Sequence, residues 1–230
     1  MRLIRADIRN FKSIEALSFS FQPSCRVLVG INESGKSNIL QALSLLDPEA
    51  ELEPGDLREI RPNEKPFTEA YVRFVFKIEP ADQARVINAL KSKIAGDLKH
   101  ESILKIGRRE LSIADFVRTR TEALYVVDLT EDERRQSYQP LTGDEEIVGP
   151  WKWLTSGGST EFTIIDSTRS EFADSETRDF DAEELDQLVA AEFNVLLSEQ
   201  MPTVIFWEYD ENQLLPGEIV ISEFAANPEI

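Results

Sequence analysis

The residues best suited to chemistry are Gly30-Ile31-Asn32-Glu33-Ser34-Gly35-Lys36-Ser37, which fit G-x-x-x-x-G-K-[ST], a loop that cradles phosphate. The two glycines let the backbone curl so that successive N–H groups, those of Glu33 and Ser34 among them, face an anion. The ammonium of Lys36 then suits the β- and γ-phosphates of a nucleotide, and the Ser37 hydroxyl suits Mg²⁺. A helix starting beneath the loop would add the positive end of its dipole.

The flanks supply the elements such a loop needs. Cys25 to Val29 is a short apolar run that reads as a buried strand, and Ser37 to Leu46 is apolar nearly all round, as a buried helix would be. Upstream, residues 2–9 alternate loosely and Leu17, Phe19 and Phe21 alternate strictly, which predicts two antiparallel strands joined by a turn at Asn10-Phe11-Lys12-Ser13. A β-hairpin thus precedes the loop strand. Simple nucleoside kinases and small GTPases usually begin directly at that strand, so the hairpin disfavours them.

The combination of Asn10-Phe11-Lys12-Ser13 near the start, Asn32 inside the loop and Asn38 just after Ser37 resembles the N-terminal lobe of RecF/SMC-type ABC ATPases. Within that group it is most similar to the AAA-like ATPase domains of the overcoming-lysogenization-defect (OLD) proteins. The close match covers about the first 45 residues. The resemblance implies an α/β fold of α+β character: a P-loop lobe with an antiparallel β-subdomain and flanking helices. It adds Asn32 and Asn38 to the nucleotide-binding set of Gly30, Glu33, Ser34, Gly35, Lys36 and Ser37, with ATP and Mg²⁺ as ligands. It further implies a cytoplasmic ATPase that forms a homodimer or larger oligomer through this domain. In the full assembly it would work in DNA repair or anti-phage defence, with DNA or an effector nuclease as partner.

Composition sets bounds of its own. The 230 residues carry a net charge of −18, but residues 1–47 hold six Lys/Arg against four acids, so residues 48–230 carry −20. Such acidity argues against the surface at large wrapping a nucleic acid. No run of about 18 apolar residues occurs to span a membrane. The N-terminus lacks the apolar core of a signal peptide, and the single cysteine, Cys25, reads as a core residue of an intracellular protein.

The expected organisation is one ATPase lobe over residues 1–230. It comprises the hairpin, loop strand and helix (1–47), a β-subdomain with helices (48–128), and an acidic loop, helix and strand region (129–230) leading to a C-terminal lobe outside this sequence. Val72 to Ile78 alternates as a strand; Pro80 to Leu98, Ser112 to Val117 and Asp181 to Gln200 read as helices, the last capped by Asp181. Strands are also expected at Ile103 to Ile106, Leu124 to Val127 and Glu161 to Ile165. Residues 129–150 read as an exposed loop with helical traces and Asp166 to Asp179 as a mobile one. Arg108, Arg109, Arg118 and Arg120 form the main basic cluster outside the first lobe, read chiefly as salt-bridged arginines and alternatively as a DNA- or partner-facing strip.

Hydrolysis needs more than a cradle: an acid at a strand end to hold Mg²⁺ through water, and a group to orient the attacking water. Val204 to Glu211 could supply Asp210 for the metal and Glu211 for the water, but Glu208 and Tyr209 interrupt the apolar run first, which favours a structural strand. Ser156-Gly157-Gly158-Ser159 echoes an ABC signature, yet a β-like segment follows it, so a hairpin turn is favoured. His100 reads as a solvated helix end, and none of Gln22, Gln41, Gln83, Gln136 and Gln139 stands out as a γ-phosphate sensor. The sequence therefore reads as a half-site that binds ATP weakly and does not turn it over alone. Its rivals are a non-catalytic nucleotide-sensing module and a self-contained P-loop kinase or GTPase using Asp210-Glu211.

Overall fold

Apolar residues alternate along Arg2–Phe11 (β1) and Ile14–Ser20 (β2), and the computed structural model pairs these strands antiparallel. It describes residues 1–21, 28–29, 35–93, 103–131, 133–138, 146–155, 162–168, 170–172 and 176–204. The hairpin turn is tight because Asn10 (φ 52°) and Lys12 (φ 46°) both enter the left-handed region, which asparagine tolerates better than most residues. Helix α1 (Lys36–Ser44) follows, then a 3₁₀ turn at Pro54–Asp56, β3 (Tyr71–Lys77) and α2 (Pro80–Lys93). Next come β4 (Ile103–Ile106), β5 (Arg109–Ser112), α3 (Ile113–Arg118), β6 (Glu122–Asp128) and β7 (Glu133–Tyr138). The remaining elements are β8 (Ile147–Val148), β9 (Trp151–Thr155), β10 (Phe162–Asp166), a 3₁₀ turn at Ser170–Phe172, β11 (Thr177–Asp179) and α4 (Ala182–Gln200).

Five strands form the central sheet in the order β2-β1-β3-β6-β7, and every neighbouring pair is antiparallel. Two three-stranded sheets accompany it, β5-β4-β8 and β10-β9-β11. The period of two sends Ala6, Ile8, Val72, Phe74, Phe76, Ala123, Tyr125 and Val127 to one face of the central sheet, where each is at most 2% exposed. Ala42, Leu45 and Leu46, from α1 and the residues after it, belong to the same core. Leu90 of α2, Phe116 of α3, and Leu185, Val189 and Phe193 of α4 belong to it too. The fold is mixed α/β of α+β character, with an antiparallel β-subdomain and flanking helices, as expected from the sequence.

The helix starts follow their capping chemistry. The Ser112 hydroxyl accepts the Asp115 N–H while the Asp115 carboxylate accepts the Ser112 N–H, a reciprocal box that begins α3. The Asp181 carboxylate accepts the Glu183 N–H and begins α4.

Several expectations change. The stretch 129–150, expected as a loop with helical traces, contains β7 and β8, and the described residues of 166–179, which the sequence alone leaves without regular structure, include a 3₁₀ turn and β11. In β7 the pattern hides because arginine and glutamine take the inward positions; Arg134 is held there by hydrogen bonds instead of by apolarity. Of the loop strand expected at 25–29, Leu28 and Val29 are described and the rest lies outside the described residues; the two lie outside regular structure, 43% and 90% exposed. Leu40 of α1 is 46% exposed, so that helix is not buried all round but rests on the core by one side.

Two of the four arginines of the basic cluster form structural pairs. Arg118 is paired with Asp115 at 2.9 Å, and Arg120, 2% exposed, with Asp186 at 2.9 Å. The Arg120 guanidinium also lies 4.3 Å from the Phe116 ring centre and 5.2 Å from that of Tyr138. The Tyr138 hydroxyl donates to the Asp186 carbonyl at 2.8 Å; burial, then the neighbouring Asp186 carboxylate, raises its pKa above the ordinary tyrosine value. Asp186→Ala leaves the Arg120 charge buried without its carboxylate, so stability should fall by about 2–3 kcal/mol, read by urea denaturation, since Asp186 is itself partly solvated.

Candidate nucleotide site

Of the residues picked out for chemistry, Gly35, Lys36, Ser37 and Asn38 are described, while Gly30, Asn32, Glu33 and Ser34 lie outside the described residues. Asp210, Glu211, Ser156 to Ser159, His100, Gln22 and Gln139 lie outside them as well. Gln83 is spent on the carbonyls of Arg118 and Arg120, at 3.0 and 2.8 Å, and Gln136 reaches the Ser198 hydroxyl at 3.4 Å. Neither is placed by those bonds as a phosphate sensor.

Gly35 is the N-cap of α1 and sits at φ 85°, ψ 10°. A Cβ built there would meet the Ser13 hydroxyl at an ordinary 3.4 Å, so what demands glycine is the left-handed backbone rather than crowding. Lys36 and Ser37 are the first two residues of the helix; Lys36 is half-buried and Ser37 exposed. Gly35 has no side chain with which to cap this helix start, and the first turn of the helix contains no acid. A capping carboxylate would occupy the amide N–H groups and repel an anion. A start like this one could take phosphate, and Lys36 and Ser37, the first two residues of the helix, are those that could hold a nucleotide's phosphates and its Mg²⁺. The residues present therefore fit a nucleotide–Mg²⁺ ligand. Among the described residues, no cluster of three His, Cys, Asp or Glu side chains could hold a metal ion unaided.

Asn38 plays a part the motif does not announce. Its side-chain amide donates to the Ser13 hydroxyl at 2.7 Å, tying α1 to the β1–β2 turn. That turn is itself fastened. The Asn10 side chain donates to the Glu69 carbonyl at 2.7 Å and accepts from Arg58 Nε at 2.9 Å. Lys12 reaches Asp56 at 3.2 Å, and its backbone N–H donates to the Asp56 carbonyl at 2.8 Å. Arg58, 5% exposed, also forks onto the Glu64 carboxylate, which holds Glu64 down at a pKa of about 2. The two stretches that carry the sequence resemblance, 25 residues apart at their contact, thus meet in space at the start of the helix.

Arg134 of β7 was missed by sequence reasoning. Its guanidinium donates to the carbonyls of Leu45 at 2.9 Å and Asp47 at 3.3 Å, to the Ala50 carbonyl and to the Tyr125 hydroxyl at 2.9 Å. Arg-Arg in a polar stretch gives no signal for such a contact.

The Arg58–Glu64 fork has a pH signature. Because the carboxyl pKa is depressed on folding, its contribution is complete above the unfolded value near 4.5 and drains away as pH falls toward 2. The melting-temperature gap between the wild-type chain and Glu64→Gln should be constant from pH 8 to about 5 and close progressively below that, as read in a thermal-melt series.

Comparisons with known proteins bear on this site. Over 124 residues, 50% of this chain, it is 31% identical to uncharacterized protein MJECL44 of Methanocaldococcus jannaschii. The match covers 34% of that protein, so this chain spans about a third of the length of the curated relative it matches. A solved structure from work on ATP-driven dimerization and DNA stimulated activation of SMC ATPases is similar over 64% of this chain and 72% of the other, at a TM-score of 0.33 and 19% identity. The sequence model of the AAA ATPase domain matches residues 1–199, which include the hairpin, the phosphate loop and nearly all of α4. By that match the chain belongs to the AAA ATPase domain family.

Proposed function

We propose that this chain binds ATP with Mg²⁺ through the loop at 30–38, as the N-terminal lobe of an OLD/RecF-like ATPase. The observation that carries the reading is local: a left-handed Gly35 opens an uncapped, acid-free helix whose first two residues are Lys36 and Ser37. Lys36 neutralises charge on the β- and γ-phosphates, the Ser37 hydroxyl enters the Mg²⁺ shell, and the helix dipole adds to both. Asn38 keeps the helix start against the Ser13 turn, a supporting task it performs through its side chain.

The half-site reading extends to turnover. The first turn of α1 carries no acid of its own to orient water over a γ-phosphate. Hydrolysis then belongs to the whole protein, through acids such as Asp210 or Glu211 or through a second ATPase lobe brought in by ATP-dependent dimerisation. A role in DNA repair or anti-phage defence, with DNA or a nuclease as partner, is the biological setting that the OLD-like pattern suggests.

Titrating a fluorescent ATP analogue with Mg²⁺ into the 230-residue chain tests the first claim. Lys36→Ala should weaken binding about tenfold or more, and Ser37→Ala should remove most of the gain Mg²⁺ gives. Equal affinity in wild type and Lys36→Ala would sink the nucleotide-site reading. Phosphate release that depends on Lys36 in the same preparation would overturn the half-site reading.

A further inference from the structure

Helix α1 carries the described part of the candidate site, and a polar contact from another element holds it at each end. The first is the Asn38–Ser13 hydrogen bond beside the phosphate loop. The second lies at the opposite end and belongs to no known motif in the chain: Arg134, reaching from β7. The last turn of α1 has no basic residue of its own to offset the negative end of its dipole. Arg134 supplies that charge while donating to the carbonyls of Leu45, the C-cap, and of Asp47 and Ala50 in the following turn. Its remaining bond, to the Tyr125 hydroxyl at 2.9 Å, anchors the same guanidinium on β6 in the central sheet.

We infer that Arg134 is a positioning residue of the nucleotide site, acting through α1 by fixing where the far end of the helix sits on the sheet. The inference rests on the proposed nucleotide reading of Gly35 to Ser37. Within α1 itself only Ala42 is fully buried, so apolar packing alone leaves the helix axis weakly defined. The helix has nine residues and runs roughly 13 Å. A change of its axis by about 5° swings one end by roughly 1 Å against the other, the scale on which a preorganised charge loses its effect. A planar guanidinium can satisfy several carbonyls at once, whereas a lysine ammonium in the same place is a point charge that cannot span them. Charge alone is therefore not a substitute.

Measuring ATP–Mg²⁺ affinity and melting temperature separately distinguishes positioning from bulk stability. Arg134→Met should bind about tenfold more weakly at a temperature well below its own melting point, and Arg134→Lys should fall between it and wild type. Val189→Ala, in the α4 part of the core, should lower the melting temperature and leave affinity unchanged. Amide exchange at residues 44–50 should quicken in both Arg134 variants. If Arg134→Met does not fold, Arg134→Lys carries the comparison. Wild-type affinity in the foldable Arg134 variants, alongside loss of binding in Lys36→Ala, would overturn the inference and leave the nucleotide reading intact. An equal loss of affinity in Val189→Ala would overturn it too. Absence of Lys36-dependent binding in the wild-type chain would defeat the nucleotide reading and take this inference with it.

Discussion

A helix whose first turn receives an anion, as we propose for α1, cannot be capped there in the usual way, and that constraint bears on the elements around it. Most helices gain stability at the N-terminus from a Ser, Thr, Asp or Asn side chain, as α3 and α4 do here. Helix α1 has neither a capping side chain nor a first-turn acid. What holds it comes from outside the helix start: the Ser13 turn beside Asn38, the core contact of Ala42, Leu45 and Leu46, and the Arg134 guanidinium at the far end. The central sheet is the common anchor, because β1 leads into the turn with Ser13 and β7 carries Arg134.

Arginine is the instrument of this construction in a chain that is strongly acidic overall. Arg58, Arg120 and Arg134 each reach across the sequence to backbone carbonyls, side-chain oxygens or aromatic faces, and none of the three serves as a surface charge. Arg58 links the β1 turn to Glu64; Arg120 links the end of α3 to α4 through Asp186; Arg134 links β7 to the end of α1. A guanidinium suits such joints because its five donors lie in a plane and it loses less by leaving water than an ammonium does. The acidic balance of residues 48–230 therefore coexists with local positive charge that is consumed inside the fold.

How much of this was legible in the sequence depended on whether apolarity or polar contact did the work. The hairpin, β3, β6, α2 and α4 were readable because alternation or helical spacing follows from burying one face. Gly35, Lys36 and Ser37 were readable because the motif fixes residue types at fixed spacing. Strand β7 was not, since its inward positions hold Arg134 and Gln136, and a polar inward face removes the period-two signal. The partners of Arg58 and Arg134 were hidden for the same reason: a cation meeting carbonyls leaves no trace in the identity of the residues it meets. Leu28 and Val29 mark the converse case: an apolar run reads as a buried strand, yet these two residues are exposed.

The Ser13–Asn38 contact shows how a family-like pattern becomes physical. Read one at a time, Ser13 and Asn38 are polar residues near a turn and a helix start, compatible with many surfaces. Their hydrogen bond gives both a reason: the turn needs left-handed residues at Asn10 and Lys12 to bring Ser13 over the helix, and the helix needs an amide at its third position to meet it. Replacing either partner removes one direct link between the hairpin and the residues placed for phosphate. The hairpin is thus more than an N-terminal decoration: through the Ser13–Asn38 bond it holds the start of α1.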